Sequence, residues 1–152
     1  MKKIVLYLLA LTFTCSTVAL AAGGLDGFLS NLNVQARADM TGFAGRLSAQ
    51  FGVPGVQVTA TLGTVREPAD AFMIYQLGQM SHQPYERVLQ TYQAKQGKGW
   101  GVIAKSLGIK PGSAEFHALK RGDFALTGRP DNASHQGRGH DKGKGKGKGH
   151  NK

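Results

Sequence analysis

Lysine alternates with glycine at Lys142, Lys144, Lys146 and Lys148, and Lys152 closes the 152-residue sequence, with Arg138 a few residues upstream. Cations at this spacing can neutralise rows of phosphates, sulfates or sugar acids without a fixed shape, which gives affinity that is salt-sensitive and blind to sequence. Reading bases would need rigidly placed side chains and stacking aromatics, and residues 129 to 152 contain no aromatic ring besides histidine. The same composition also fits a tail that serves solubility alone; as a binding segment, the partners it predicts are anionic polymers or membrane surfaces: lipopolysaccharide, an acidic polysaccharide, or nucleic acid held without sequence preference. Sequence-specific DNA is not among them.

Three histidines share that segment. His135, His140 and His150, with Asp131 and Asp141 nearby, could offer imidazole to nickel, copper or zinc. Their spacing is loose, a chain must lose entropy to gather them, and neighbouring positive charges oppose a cation. The sequence therefore predicts weak capture at most and no metal site.

Catalytic patterns are missing. Glu67, Asp70, Glu86, Glu115 and Asp123 are scattered, and only Glu115 and His117 lie close in sequence. Two residues apart on a helix they face different ways, so they do not form an acid-base couple. The sequence contains no HExxH, paired CxxC or GxxxxGK[ST] element, and Ser81, Ser106 and Ser113 sit outside any nucleophile elbow. The expectation is a protein that is not an enzyme and needs no cofactor.

The positive charge is unevenly placed. Of the formal net +10, Lys2 and Lys3 supply +2, residues 22 to 128 supply +3, and residues 129 to 152 supply +5. Lys2 and Lys3 also precede an apolar run from Ile4 to Leu11, and Ala19-Leu20-Ala21 offers the small residues a signal peptidase reads. A membrane anchor fits less well, because Thr12, Thr14, Ser16 and Thr17 interrupt the run before it reaches the roughly 20 residues that span a bilayer. Cys15 lacks the small residue expected just before a lipidated cysteine. Cleavage after Ala21 would remove this single cysteine, leaving a chain stabilised by its core alone. The predicted organisation is a signal peptide over 1–21, a helical domain over 22–128 and a disordered, basic, Gly/Lys/His-rich tail over 129–152, in a periplasmic or secreted protein.

The elements of the body follow from hydrophobic spacing. Leu25, Phe28, Leu29, Leu32, Ala36, Met40, Phe43, Leu47 and Phe51 recur every three or four residues, which predicts one amphipathic helix with Asp26 near its start and Gly52 at its end. Gly42 and Gly45 are the places where it could bend. Residues 53 to 65 fit both a strand, through Val56, Val58, Ala60 and Leu62, and a helix, through Val58, Leu62 and Val65. A lone strand would lack a partner, which favours a short helix begun by Pro54. Pro68 opens a segment apolar almost all round, where Met73 and Met80 read as core filling rather than copper ligands. Pro84 opens another, with Tyr85, Val88, Leu89 and Tyr92 on one face.

The last stretch has the look of a helix-turn-helix. Trp100, Ile103, Ala104 and Leu107 form a helical set, Gly108 suits the turn, and Ser113 caps a final helix. In a DNA-binding unit, apolar residues should follow Ala104 by ten and thirteen positions. Those positions hold Ala114 and His117, while Phe116 and Leu119 come two residues later. The slip rotates the second helix away from a groove-reading orientation, so the unit reads as a tri-helical packing module with Trp100 and Phe116 as anchors. The fold expected is all-α, a small single-domain helical bundle ending in this helix-turn-helix-like unit.

PADAF at 68–72 and GKGWGVIAKSLGIKPGSAEFHALK at 97–120 resemble a family of small exported bacterial helical proteins that share a GWG.IAK.LGI.PGS.EFH.LK block. The resemblance covers about the last half of the body. It implies a helical fold and export, and no particular chemistry. A structural or assembly subunit using the helical body as its interface is the competing functional class.

Export has a direct test. The protein recovered from the cell envelope or medium is expected to begin at Ala22 or one residue later, by N-terminal sequencing or intact mass. An intact Met1 in a cytoplasmic pool would overturn the assignment.

Overall fold

A helix with apolar side chains on every side has to sit at the centre of whatever it belongs to. That helix is Pro68–Ser81, in a computed structural model that describes residues 23 to 129. In chain order the described elements are α1 (Leu25–Ala38), α2 (Met40–Phe51), α3 (Gly55–Leu62), α4 (Pro68–Ser81), α5 (Tyr85–Ala94), α6 (Trp100–Ser106) and α7 (Ala114–Arg121). The described residues are all-helical, with no strand. Ala71, Phe72, Met73, Ile74 and Leu77 of α4 are fully buried, and α1, α2, α3 and α5 all pack against it.

The start of α4 is tied down from two directions. Pro68 occupies the first helical turn, where its missing N–H costs nothing. The Asp70 carboxylate accepts from the Glu67 N–H at 3.1 Å, and Asn33 of α1 accepts from the Ala69 N–H at 2.8 Å. Two of the donors that a helix start leaves open are thereby satisfied, one of them by a neighbouring helix. Met73 is buried and Met80 half-buried against the core, so both fill space.

The predicted helix over 25 to 51 is in fact two. Asp39 is extended, with φ −151° and ψ 86°, and its carboxylate caps α2 by accepting from the Gly42 N–H at 2.8 Å. Aspartate favours this role because its side chain reaches the open donors of the first turn. Gly42 is part of the device, since a Cβ there would collide with the Asp39 carboxylate. Asp26 is not the cap of α1. Gly24 holds that place at φ +88°, and Asp26 lies within the first turn, where a carboxylate meets the positive end of the helix. Gly52 ends α2 in the left-handed conformation, as its type predicts.

Residues 55 to 62 are helical, preceded by Pro54. Val58 is buried and Val56 is 80% exposed, so the helical spacing rather than the alternation describes the segment. Thr61 is also buried. Its hydroxyl donates to the Gln57 carbonyl at 3.0 Å and accepts from the Tyr75 hydroxyl at 2.8 Å, which binds α3 to α4 through a satisfied polar contact. Burial pushes the Tyr75 phenol above its ordinary value, so it remains a donor at neutral pH.

After α7 the chain does not leave the body at once. Residues 123 to 128 run back over α1 and α2 as a strap without regular structure, with Phe124 and Leu126 packed on the core. The Phe124 ring lies 5.8 Å from Phe28 and 6.1 Å from Phe72. Gln50, only 2% exposed, serves as the backbone partner a neighbouring strand would have been. Its Nε2 donates to the Ala125 carbonyl at 2.9 Å, and its Oε1 accepts from the Thr127 N–H at 2.8 Å and the Gly128 N–H at 3.3 Å.

Replacing Gln50 with alanine leaves those strap groups without their partner. Denaturant melts of Gln50→Ala are expected to show a loss of about 1–3 kcal/mol, the cost of unmade buried hydrogen bonds. A variant as stable as the parent would mean that water replaces the amide there.

Candidate functional site

Charge divides the folded body as sharply as it divides the whole chain. From residue 23 to 86, Arg37, Arg46 and Arg66 face five acids, Asp26, Asp39, Glu67, Asp70 and Glu86. From residue 87 to 121, seven bases accompany Glu115 alone. These seven are Arg87, Lys95, Lys98, Lys105, Lys110, Lys120 and Arg121. They belong to α5, α6, α7 and the turns between them, which pack on one another in sequence. Counting the body as one unit hides this division, because the front half, net −2, offsets part of the basic back half, net +6. A moving charge count along the sequence would have shown it.

The local structure of that end is built from turns and caps. Gly97 and Gly99 adopt φ +79° and +83° between α5 and α6, and Gly108 adopts φ +91° after α6. The Ser113 hydroxyl caps α7 by accepting from the Phe116 N–H at 3.2 Å. Ile103, Ala104, Leu107, Ile109 and Leu119 are buried. Trp100 and Phe116 are half-buried and lie against the core rather than within it. The Trp100 indole is stacked on Tyr92, with centroids 5.4 Å apart and planes 17° from parallel.

The orientation of α7 follows the slipped spacing. Ala114 and His117 are exposed, while Leu119 is buried and Phe116 half-buried. The solvent face of α7 therefore begins with Glu115. Its carboxyl is held below the ordinary range, first by its own backbone N–H, then by the Ser113 hydroxyl, with a smaller contribution from His82. A negative charge persists at the spot where a groove-reading helix would meet phosphate.

Glu115 and His117 are both exposed. Asp70 is engaged by the Tyr92 hydroxyl, which donates to its Oδ2 at 2.7 Å, and that same hydroxyl accepts from the Arg66 N–H at 3.3 Å. Burial first, and the Asp70 carboxylate among lesser causes, push the Tyr92 phenol up. The cluster thus joins α4 to α5 and holds its proton in place. A shallow groove beside α1 is lined by Asp26, Asn33, Val34, Arg37 and Glu67, and the Arg37–Glu67 pair at 2.7 Å closes its polar side. Among the described residues no group of three or more His, Cys, Asp or Glu is placed to hold a metal ion, and no helix is long and apolar enough to cross a membrane.

The tail residues singled out from sequence, Arg138, Lys142, Lys144, Lys146, Lys148 and Lys152, and the histidines His135, His140 and His150, lie outside the described residues, as does the signal peptide expected over 1–21. Comparison with models of known protein families, with curated proteins and with solved structures finds no match to this chain.

The stacked Trp100 gives a prediction that separates packing from ligand stacking. Trp100→Ala is expected to cost about 2 kcal/mol in a denaturant melt, which is the burial of half an indole plus one aromatic pair. That is less than the roughly 3–5 kcal/mol of a fully buried large aromatic. Unchanged stability would show that the ring contributes nothing to the fold.

Proposed function

We propose that this chain is an exported, non-enzymatic protein that binds anionic material of the envelope or the extracellular space, with its C-terminal Lys/Gly segment as the principal contact. One observation supports the reading above others: basic residues are concentrated in everything downstream of residue 86. Seven lie in 87–121 and seven more in 129–152, against four acids, Glu115, Asp123, Asp131 and Asp141. Such a charge distribution steers and holds polyanions and carries no information about their sequence.

The strap gives this segment a defined point of departure. Gln50 fixes Thr127 and Gly128, and the Arg129 N–H donates to the Thr127 hydroxyl at 3.2 Å, so the described chain ends anchored over α2. Residues 130 to 152 can therefore be removed without disturbing a contact described in the body.

Truncation after Arg129 is expected to leave the helical circular dichroism and melting temperature unchanged while weakening binding to duplex DNA used as a generic polyanion. About five engaged cations in the intact chain give a log-log salt slope near −4 to −5, at roughly −0.9 per neutralised phosphate. The truncated chain should show a flatter slope, and scrambling the DNA sequence should change neither. Equal affinity and slope in the truncated chain would overturn the role of the tail. A variant with glutamine at His135, His140 and His150 is expected to bind DNA as the parent does at neutral pH, where free imidazole is mostly uncharged; if that variant alone loses activity in a nickel or copper assay, the metal reading moves ahead.

A further inference from the structure

The lysines of the folded body stand mostly in solvent. Lys98, Lys105, Lys110 and Lys120 are exposed and Lys95 is half-buried. Among the described residues none of the five enters an ion pair, since the pairs formed are Arg37–Glu67 and Arg121–Asp123. Like charges gathered on three short consecutive elements repel one another and work against the compact state. An anionic partner laid across them removes that repulsion.

We propose that this end of the bundle, from the last turn of α5 through α6 to α7, is a binding face for a linear acidic polysaccharide, whose carboxylates or sulfates are held by Lys95, Lys98, Lys105, Lys110 and Lys120. The proposal rests on the polyanion reading and extends it from the tail to the folded body. The choice of polymer comes from what surrounds the lysines. Single-stranded nucleic acid binds through exposed aromatic platforms, and here the Trp100 ring is already stacked on Tyr92 while Phe116 lies against α6 near Gly101. Duplex DNA is gripped by a helix laid in its groove, and α7, the helix the turn presents, begins with Ser113, Ala114 and Glu115 and carries no base in its first turn. A membrane surface is held by apolar side chains inserted among the cations, and on these three elements Val102 is the one large apolar residue that is exposed. A polysaccharide requires none of these. It presents spaced acids with hydroxyls between them, and the exposed Gln93, two residues before Lys95, has an amide able to bond such hydroxyls.

The test uses the full chain and heparin, a linear sulfated polysaccharide, as the probe. A body variant carries glutamine at Lys95, Lys98, Lys105, Lys110 and Lys120. A tail variant carries it at Lys142, Lys144, Lys146, Lys148 and Lys152, and a third variant carries arginine at the five body positions. The body glutamine variant is expected to bind heparin about tenfold or more weakly at physiological salt, with unchanged circular dichroism, and the arginine variant to bind as the parent does. A smaller variant, Lys105→Gln with Lys110→Gln, should show a partial loss and serves if the larger one is unstable. Parental affinity in the body glutamine variant overturns the face, even if the tail variant loses binding and so upholds the tail. Loss in the body variant with none in the tail variant upholds the face and removes the tail from the reading. Duplex DNA or anionic vesicles binding more tightly than heparin, with the same dependence on the body lysines, overturns the polysaccharide as partner.

Discussion

The constraint on which the rest of this structure depends is the burial of α4 from every direction. Phe72, Met73, Ile74 and Leu77 are all at 0% exposure, and each such side chain contributes about 1.5–3 kcal/mol when removed from water. One neighbouring helix covers only a stripe, so four neighbours are needed. α1, α2, α3 and α5 supply them, and α5 passes the connection on to α6 and α7. Polar side chains along these contacts fix orientation: Asn33 to the start of α4, Thr61 to Tyr75, Tyr92 to Asp70. Each is satisfied, so each adds direction without the penalty of a stranded polar group.

Covering α4 with a chain of about a hundred residues also explains the break at Asp39 and the strap. A straight rod from Leu25 to Phe51 would follow one line along α4 and leave its other sides open. Turning at Asp39 lets α1 and α2 both reach the central helix, and the aromatic contacts record the result, with Phe28 of α1 and Phe51 of α2 lying 5.1 Å and 5.5 Å from Phe72. Phe124 then joins the same ring cluster from the C-terminal side. A buried glutamine is a costly way to hold a strap unless all its bonds are made, and Gln50 meets that condition by serving three backbone groups.

Much of the fold was legible because it is written in local chemistry. Pro54, Pro68 and Pro84 mark helix starts by a missing N–H, Gly52 and Gly108 mark ends by a positive φ, and Ser113 caps by its hydroxyl. Each acts within four residues, and a sequence window contains all of it. The break at Asp39 was not legible from periodicity, since Met40 and Phe43 continue the helical spacing straight through it. The one local signal is an aspartate followed three residues later by a glycine that its carboxylate needs. The strap was invisible for a different reason: Gln50 bonds residues 75, 77 and 78 positions away, and nothing near Gln50 in sequence announces them. The candidate site stood between these cases. The tail lysines are plain in the composition, whereas the lysines of α5 to α7 emerge only when charge is counted along the body instead of over it.

The two ends of the body meet. Gly122, in the left-handed conformation at φ +67°, ends α7, and a Cβ on it would lie 2.7 Å from the Gly24 carbonyl oxygen and 3.0 Å from the Leu25 Cα. Backbone therefore touches backbone where α1 begins and α7 ends, and only glycine fits both the angle and the space. Gly24 is held within α1 as well, its carbonyl accepting from the Phe28 N–H at 3.2 Å, so one short backbone contact joins the first turn of α1 to the end of α7.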